Sequence, residues 1–174
     1  MIWPPESSTI AVVAIGAAAS FCDLRTRRVP NALTLGAAAI AVALHTVVSG
    51  WSGLLMAVGG WVVGLVLFAP LYALQGMGAG DVKLLAAIGA WLGPVGALWT
   101  ALYGAMAGGV LALAVALSRG YATKALRNVG AILRAWSMTG PQPVSGLTLA
   151  DASSVRLPYA LPLAVGAMVT LWLH

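Results

Sequence analysis

The sequence predicts an all-α integral membrane protein of about six transmembrane helices, with one cytoplasmic loop that carries an amphipathic helix. Three observations predict it. Of 174 residues, 61% are hydrophobic and only 7% charged, where an ordinary soluble domain has about a quarter of its residues charged. The mean hydropathy of +0.96 is gathered into several runs long enough for a hydrocarbon core of roughly 30 Å. The basic residues fall between those runs. A soluble globular domain is excluded. The net charge of +5 would suggest nucleic acid in a soluble chain, but in this arrangement it reads as a topology signal, and no nucleic-acid partner is expected.

Apolar windows place spans at 7–22, 32–49, 54–74, 81–93, 95–117 and 158–173, in a single polytopic domain over residues 1–174. No Lys or Arg precedes the first run, and Glu6 stands where a signal peptide would carry positive charge, so this run is expected to be a retained span. The fourth is short: at 1.5 Å per residue it covers only about 20 Å. Gly93-Pro94 is nevertheless a good turn, and 95–117 is a complete span by itself. With six crossings all nine Lys and Arg lie on one side. Arg25, Arg27 and Arg28 are in the first interspan segment, Lys83 follows the third span, and Arg119, Lys124, Arg127, Arg134 and Arg156 are in the fifth segment. That side is cytoplasmic by the positive-inside rule, and both termini are expected outside.

The segment 118–157 is the long polar stretch. Leu126, Val129, Leu133 and Trp136 share one helical face, and Lys124, Arg127 and Arg134 lie on another, the pattern of an interfacial helix held to anionic lipid. Gly140-Pro141-Gln142-Pro143 then marks a turn. A lid or substrate-contacting role for this loop stays open beside that of a connector. There is no internal repeat and no pair of broken helices of the inverted-repeat transporter kind.

Chemistry rests on the four carboxylates. Glu6 reads as a solvated terminal charge, and Asp151, beside two serines, as a solvated or capping one. Asp23 closes the first span and Asp81 opens the fourth, both at the cytoplasmic boundary. Two carboxyls at one depth suggest aspartic-protease chemistry: sharing a proton, the ionised one activates water while the protonated one polarises a carbonyl. Such a pair titrates in two coupled steps. The plainer alternative is that Asp23 pairs with Arg25 or Arg27 and Asp81 caps its helix. Gly76, Gly78 and Gly80 before Asp81 let the backbone turn tightly and approach another chain, such as a substrate strand. Lys83 either holds Asp81 ionised or meets lipid phosphate as a topology determinant. Cys22 alone cannot form a disulfide or a CxxC site. His45 and His174 have no partners at metal-ligand spacing, so neither a metal nor a cofactor is expected.

Gly78-Ala79-Gly80-Asp81 resembles the GxGD signature of intramembrane-type aspartic peptidases. Asp23-Leu24-Arg25 followed by Val29-Pro30-Asn31-Ala32-Leu33-Thr34 is similar to the first-aspartate motif of prepilin peptidases. The Pro158-Tyr159 start of the last span resembles the corresponding segment there, less specifically. The resemblance implies a leader peptidase of the bacterial cytoplasmic membrane that removes the short basic leader of type IV prepilins and pseudopilins after a glycine, on the cytoplasmic side. Asp23 and Asp81 would be catalytic, with Gly78, Gly80, Lys83, Arg25, Pro30 and Asn31 as supporting motif residues. By size the chain resembles the short enzymes of tight-adherence (Flp) pilus systems. The CxxC-bearing domain and N-methyltransferase activity of the larger enzymes are not expected, and archaeal preflagellin peptidases are the nearest relatives to confuse with it. Two other classes compete: an ion- or proton-coupled transport component using the same aspartates, which would want them nearer mid-membrane, and an assembly factor packed through small residues such as Gly104-Ala105-Met106-Ala107-Gly108.

Overall fold

A computed structural model describes residues 6–144, 146–147 and 158–174. These form five helices: α1 (Glu6–Thr26), α2 (Asn31–Ala73), α3 (Ala79–Ser118), α4 (Ala122–Thr139) and α5 (Ala160–Leu173). No strand occurs among the described residues. α1, α2 and α3 are long and apolar enough to cross a membrane, and α5 is a shorter apolar helix. Asp151 and Arg156, to which the sequence assigned a polar loop and a topology signal, lie outside the described residues.

The 43 residues of α2 would reach about 65 Å if straight, twice the hydrocarbon thickness. They do not run straight. Gly50, at φ 59° and ψ −138°, breaks the helix in a region open to glycine alone, and Gly53 comes to lie against the carbonyl of His45. α3 breaks the same way at Gly93, φ 75° and ψ −179°, with Pro94 opening the next helical stretch, where its missing N–H costs nothing. An added Cβ on Gly89 would stand 3.0 Å from the Ala97 Cβ. In an unbroken helix those two residues are about 12 Å apart, so the chain folds back on itself.

The separate runs expected at 32–49 and 54–74 are thus joined more tightly than the sequence suggested. The loop expected at 50–53 reduces to one glycine, and Trp51, Ser52 and Gly53 are already helical. A left-handed glycine reverses the chain without spacer residues, so the polar character of Ser49 to Ser52 marked the reversal but overstated its length.

The short segment before Gly93 is the centre of the bundle. Every residue from Leu84 to Gly93 is buried. α2 packs along one side of α3, α5 along another, and α1 lies against α5. A helix enclosed by protein on all sides is apolar all round and carries no amphipathic stripe, and the shortness that set this segment apart in the sequence goes with its place inside the bundle. Small residues permit the close approach: an added Cβ on Gly64 would lie 2.6 Å from the Ala86 Cα, and one on Gly104 would lie 3.0 Å from Leu163 Cδ2.

Polar ties cross this core. Trp91 Nε1 donates to the carbonyl of Ala37 at 3.1 Å, and His45 Nε2 lies 3.2 Å from the Trp91 carbonyl. Trp91→Phe keeps an aromatic ring and removes the Nε1–H donor, leaving the Ala37 carbonyl with its intrahelical partner alone, so it should cost about 1 kcal/mol. A clear fall in the unfolding midpoint of the detergent-solubilised protein checks this; an unchanged midpoint would show the bond contributes nothing.

Candidate active site

The first carboxylate arrives on the last turn of α1. Asp23 is 8% exposed, and its carbonyl accepts the N–H of Arg27 at 2.8 Å, the bond that ends the helix. Arg27 follows at φ 52°, a left-handed position common just past a helix end. Thr26 Oγ1 donates to the carbonyls of Cys22 and Arg28, at 2.9 and 3.1 Å. Pro30 then precedes α2 and accepts the N–H of Leu33 at 3.1 Å. The Arg25 guanidinium lies over the Phe21 ring at 4.6 Å, a cation–π contact, not the ion pair with Asp23 that the plainer reading invoked.

The second carboxylate stands in the first turn of α3. α2 ends with Gln75 at φ 56° and the Gly76 N–H on the Leu71 carbonyl at 2.9 Å, a closure of the Schellman kind. The chain then passes through buried Met77 and extended Gly78, and the Asp81 N–H returns to the Gly78 carbonyl at 3.2 Å. The left-handed residue is Gln75, not one of the three glycines to which a tight turn was assigned. What Gly78 and Gly80 supply is closeness. A Cβ on Gly78 would sit 3.2 Å from Asp81 Oδ2, and one on Gly80 would sit 3.3 Å from the Val29 Cβ.

The two acids, distant in sequence, therefore come to the same end of the bundle, where Asp81 lies within electrostatic reach of Asp23 and of Tyr159. α5 completes the group. The Ala160 N–H, at the start of α5, donates to Asp23 Oδ2 at 3.2 Å, and the Tyr159 hydroxyl faces Gly108, where an added Cβ would lie 3.0 Å from it. Lys83 Nζ donates to Asn31 Oδ1 at 2.9 Å, so its ammonium reaches a partner the sequence reading had not given it. Asp23, Asp81, Gly78, Gly80, Lys83, Pro30 and Asn31 thus share one region, and Arg25 lies at its edge.

One contributor escaped the sequence, as did one buried polar group near it. A backbone N–H leaves no signature, so Ala160 was invisible, although Pro158-Tyr159 had marked the segment. Ser20, one turn before Asp23 on α1, is buried with its hydroxyl unpaired among the described residues. Among the described residues no group of three His, Cys, Asp or Glu is placed to hold a metal.

Five helices among the described residues, three of them of membrane-crossing length, with two carboxyls within electrostatic reach of each other at one end of the bundle, define the class of protein. The type IV leader peptidase family matches over residues 10–113, a stretch that contains both aspartates. A type 4 prepilin-like proteins leader peptide-processing enzyme from Escherichia coli O78:H11 (strain H10407 / ETEC) is 32% identical over 138 residues, covering 71% of this chain and 49% of the relative. The chain therefore spans about half the length of the curated relative it matches. No solved structure matches significantly. The chain belongs to the type IV leader peptidase family.

Proposed function

We propose that the protein is a membrane-embedded aspartic endopeptidase that removes the short basic leader of type IV or Flp prepilins and pseudopilins after a glycine. The observation that carries this reading is that Asp23 and Asp81, on separate helices, lie within electrostatic reach of each other in a chain of the leader peptidase family. The scissile amide binds with its carbonyl between the two carboxyls. The ionised carboxyl takes a proton from water as the water oxygen bonds to the carbonyl carbon, and the protonated carboxyl gives its proton to the carbonyl oxygen. The neutral diol then collapses. One hydroxyl proton returns to the dyad, the other carboxyl protonates the amide nitrogen, and the C–N bond breaks. The dyad ends with the single proton it began with. The hydrogen bond from Ala160 N–H to Asp23 Oδ2 fixes the orientation of one carboxylate before substrate arrives.

The test is cleavage of a prepilin-type substrate by the purified, detergent-solubilised protein, with release of a leader ending in glycine as the expected product. No processing of any prepilin would overturn the reading, and the ion-coupling and scaffold readings would then take its place.

In the bilayer we propose six crossings in one domain, with the reversals at Gly50 and Gly93 on the outer side and the aspartates at the cytoplasmic face of the bacterial inner membrane. α4 supports this disposition. It has no buried residue; Leu126, Val129 and Leu133 on its apolar face are 69%, 53% and 59% exposed, and Lys124, Arg127 and Arg134 line the opposite face with no acid in the helix. Such a helix lies in the surface of an anionic leaflet. An environment-sensitive fluorophore on Leu133→Cys, in a Cys22→Ala background, should shift to the blue in anionic vesicles. The shift should shrink when the three cations become Gln, and identical spectra in zwitterionic and anionic vesicles would contradict the assignment.

A further inference from the structure

Two contacts join the segment that follows Asp23 to the segment that contains Asp81. Lys83 Nζ donates to Asn31 Oδ1 at 2.9 Å, across 52 positions of sequence, and Val29 lies against the bare backbone face of Gly80. Lys83 stands two residues after Asp81 in α3, and successive helical residues are turned by about 100°. Its side chain therefore leaves the helix on nearly the opposite side from the Asp81 carboxyl and reaches the first residue of α2. Asn31 is the only residue between Pro30 and the apolar body of α2 that offers a side-chain carbonyl oxygen. An amide oxygen accepting from an ammonium is a charge-assisted bond, and it takes hold where α1 hands over to α2.

We infer that Lys83 and Asn31 form a clamp that holds the Asp23-bearing turn in register with the Asp81-bearing turn, so that both are positioning residues for the proposed dyad. The inference rests on the peptidase reading for its catalytic consequence but not for its geometry. Each aspartate sits on the end turn of a different helix, and an end turn is the part of a helix most easily displaced. Val29 against Gly80 sets how closely the two turns approach, and the Lys83–Asn31 bond stops them from sliding past each other. Misplacement of reacting groups by about 1 Å costs on the order of 100-fold in rate, so releasing the clamp should lower kcat while leaving the substrate's apolar helix free to bind.

The experiment uses the full-length protein with a prepilin-type substrate, in Lys83→Met, Asn31→Ala, the double variant and Asn31→Asp. Each single loss should lower kcat by about 10- to 100-fold with little change in KM. The double variant should be no slower than the worse single one, because the two residues act through one bond. Asn31→Asp keeps an oxygen acceptor for Lys83 and should hold kcat near wild type, which a general structural role of the position would not secure. A second readout needs no peptidase activity. Arg27 and Arg28 are exposed, so limited trypsin digestion after them reports how firmly the turn is held, and nicking should be faster in Asn31→Ala than in wild type or Asn31→Asp. Unchanged nicking and unchanged kcat beside an active wild type would overturn the clamp, as would single effects that multiply in the double variant. A wild type that processes no prepilin, with faster nicking in Asn31→Ala, would overturn the peptidase reading and leave the clamp standing.

Discussion

Replacing either Asp23 or Asp81 with Asn is expected to lower prepilin turnover by about 10³-fold or more, since each carboxyl serves as both acid and base in one cycle and such groups contribute on the order of 10²–10⁴ each. The double variant should be scarcely slower than either single one, because a dyad lacking one member has already lost its function as a unit. Asn has nearly the shape of Asp and can still accept the Ala160 N–H that meets Asp23 Oδ2, so folding should be retained and substrate should still co-purify. Steady-state kinetics with a prepilin-type substrate, together with a pull-down of uncleaved substrate, checks both statements. A variant that turns over within tenfold of wild type would remove that carboxyl from the mechanism.

Gly60→Val should be the most damaging change away from the site. At Gly60 the second half of α2 crosses α3 with backbone on backbone: an added Cβ would run into the carbonyl of Gly89 and stand 2.7 Å from the carbonyl carbon of Gly93. Neither obstacle is a side chain that can rotate away, and Gly93 already holds the left-handed φ on which the reversal depends. The helices must separate, which exposes part of the most buried segment of the chain. A loss on the order of 3 kcal/mol is expected, read as a large fall in the unfolding midpoint or as protein recovered only as aggregate. Gly36→Val is the matched control, since a Cβ there meets nothing within 4 Å. Equal stability of the two variants would show that the α2–α3 crossing is looser than described.

The two predictions draw on different kinds of information, and only one was legible in the sequence. Asp23, Asp81 and the Pro30-Asn31 and Gly78–Gly80 motifs could be read because few charged residues occur in an apolar chain, so a carboxylate at a span boundary stands out. The helical class followed from the same contrast. α4 was legible because its apolar residues recur at helical spacing against a basic face. Glycine gave less away. The reversals at Gly50 and Gly93 fall at breaks the sequence marked between spans, but nothing in the sequence sets apart Gly60 and Gly64, which admit a neighbouring backbone. Their roles depend on which helices meet, information carried by long-range contacts. The same limit explains Lys83, whose partner in sequence terms was Asp81 or a lipid phosphate and whose partner in space is Asn31. It explains Ala160 as well, which acts through an N–H that any residue but proline would have supplied.

The central claim is that Asp23 and Asp81 together direct one water onto a leader glycine carbonyl. Its most direct test is digestion of a prepilin-type substrate in ¹⁸O-labelled water by the purified wild type, Asp23→Asn and Asp81→Asn proteins, with products mapped by mass spectrometry. The mechanism predicts a leader peptide ending in glycine that carries one ¹⁸O in its new carboxyl from the wild type, and no such peptide from either variant. Labelled leader from either Asn variant, or wild-type cleavage at a bond unrelated to the leader glycine, would contradict it.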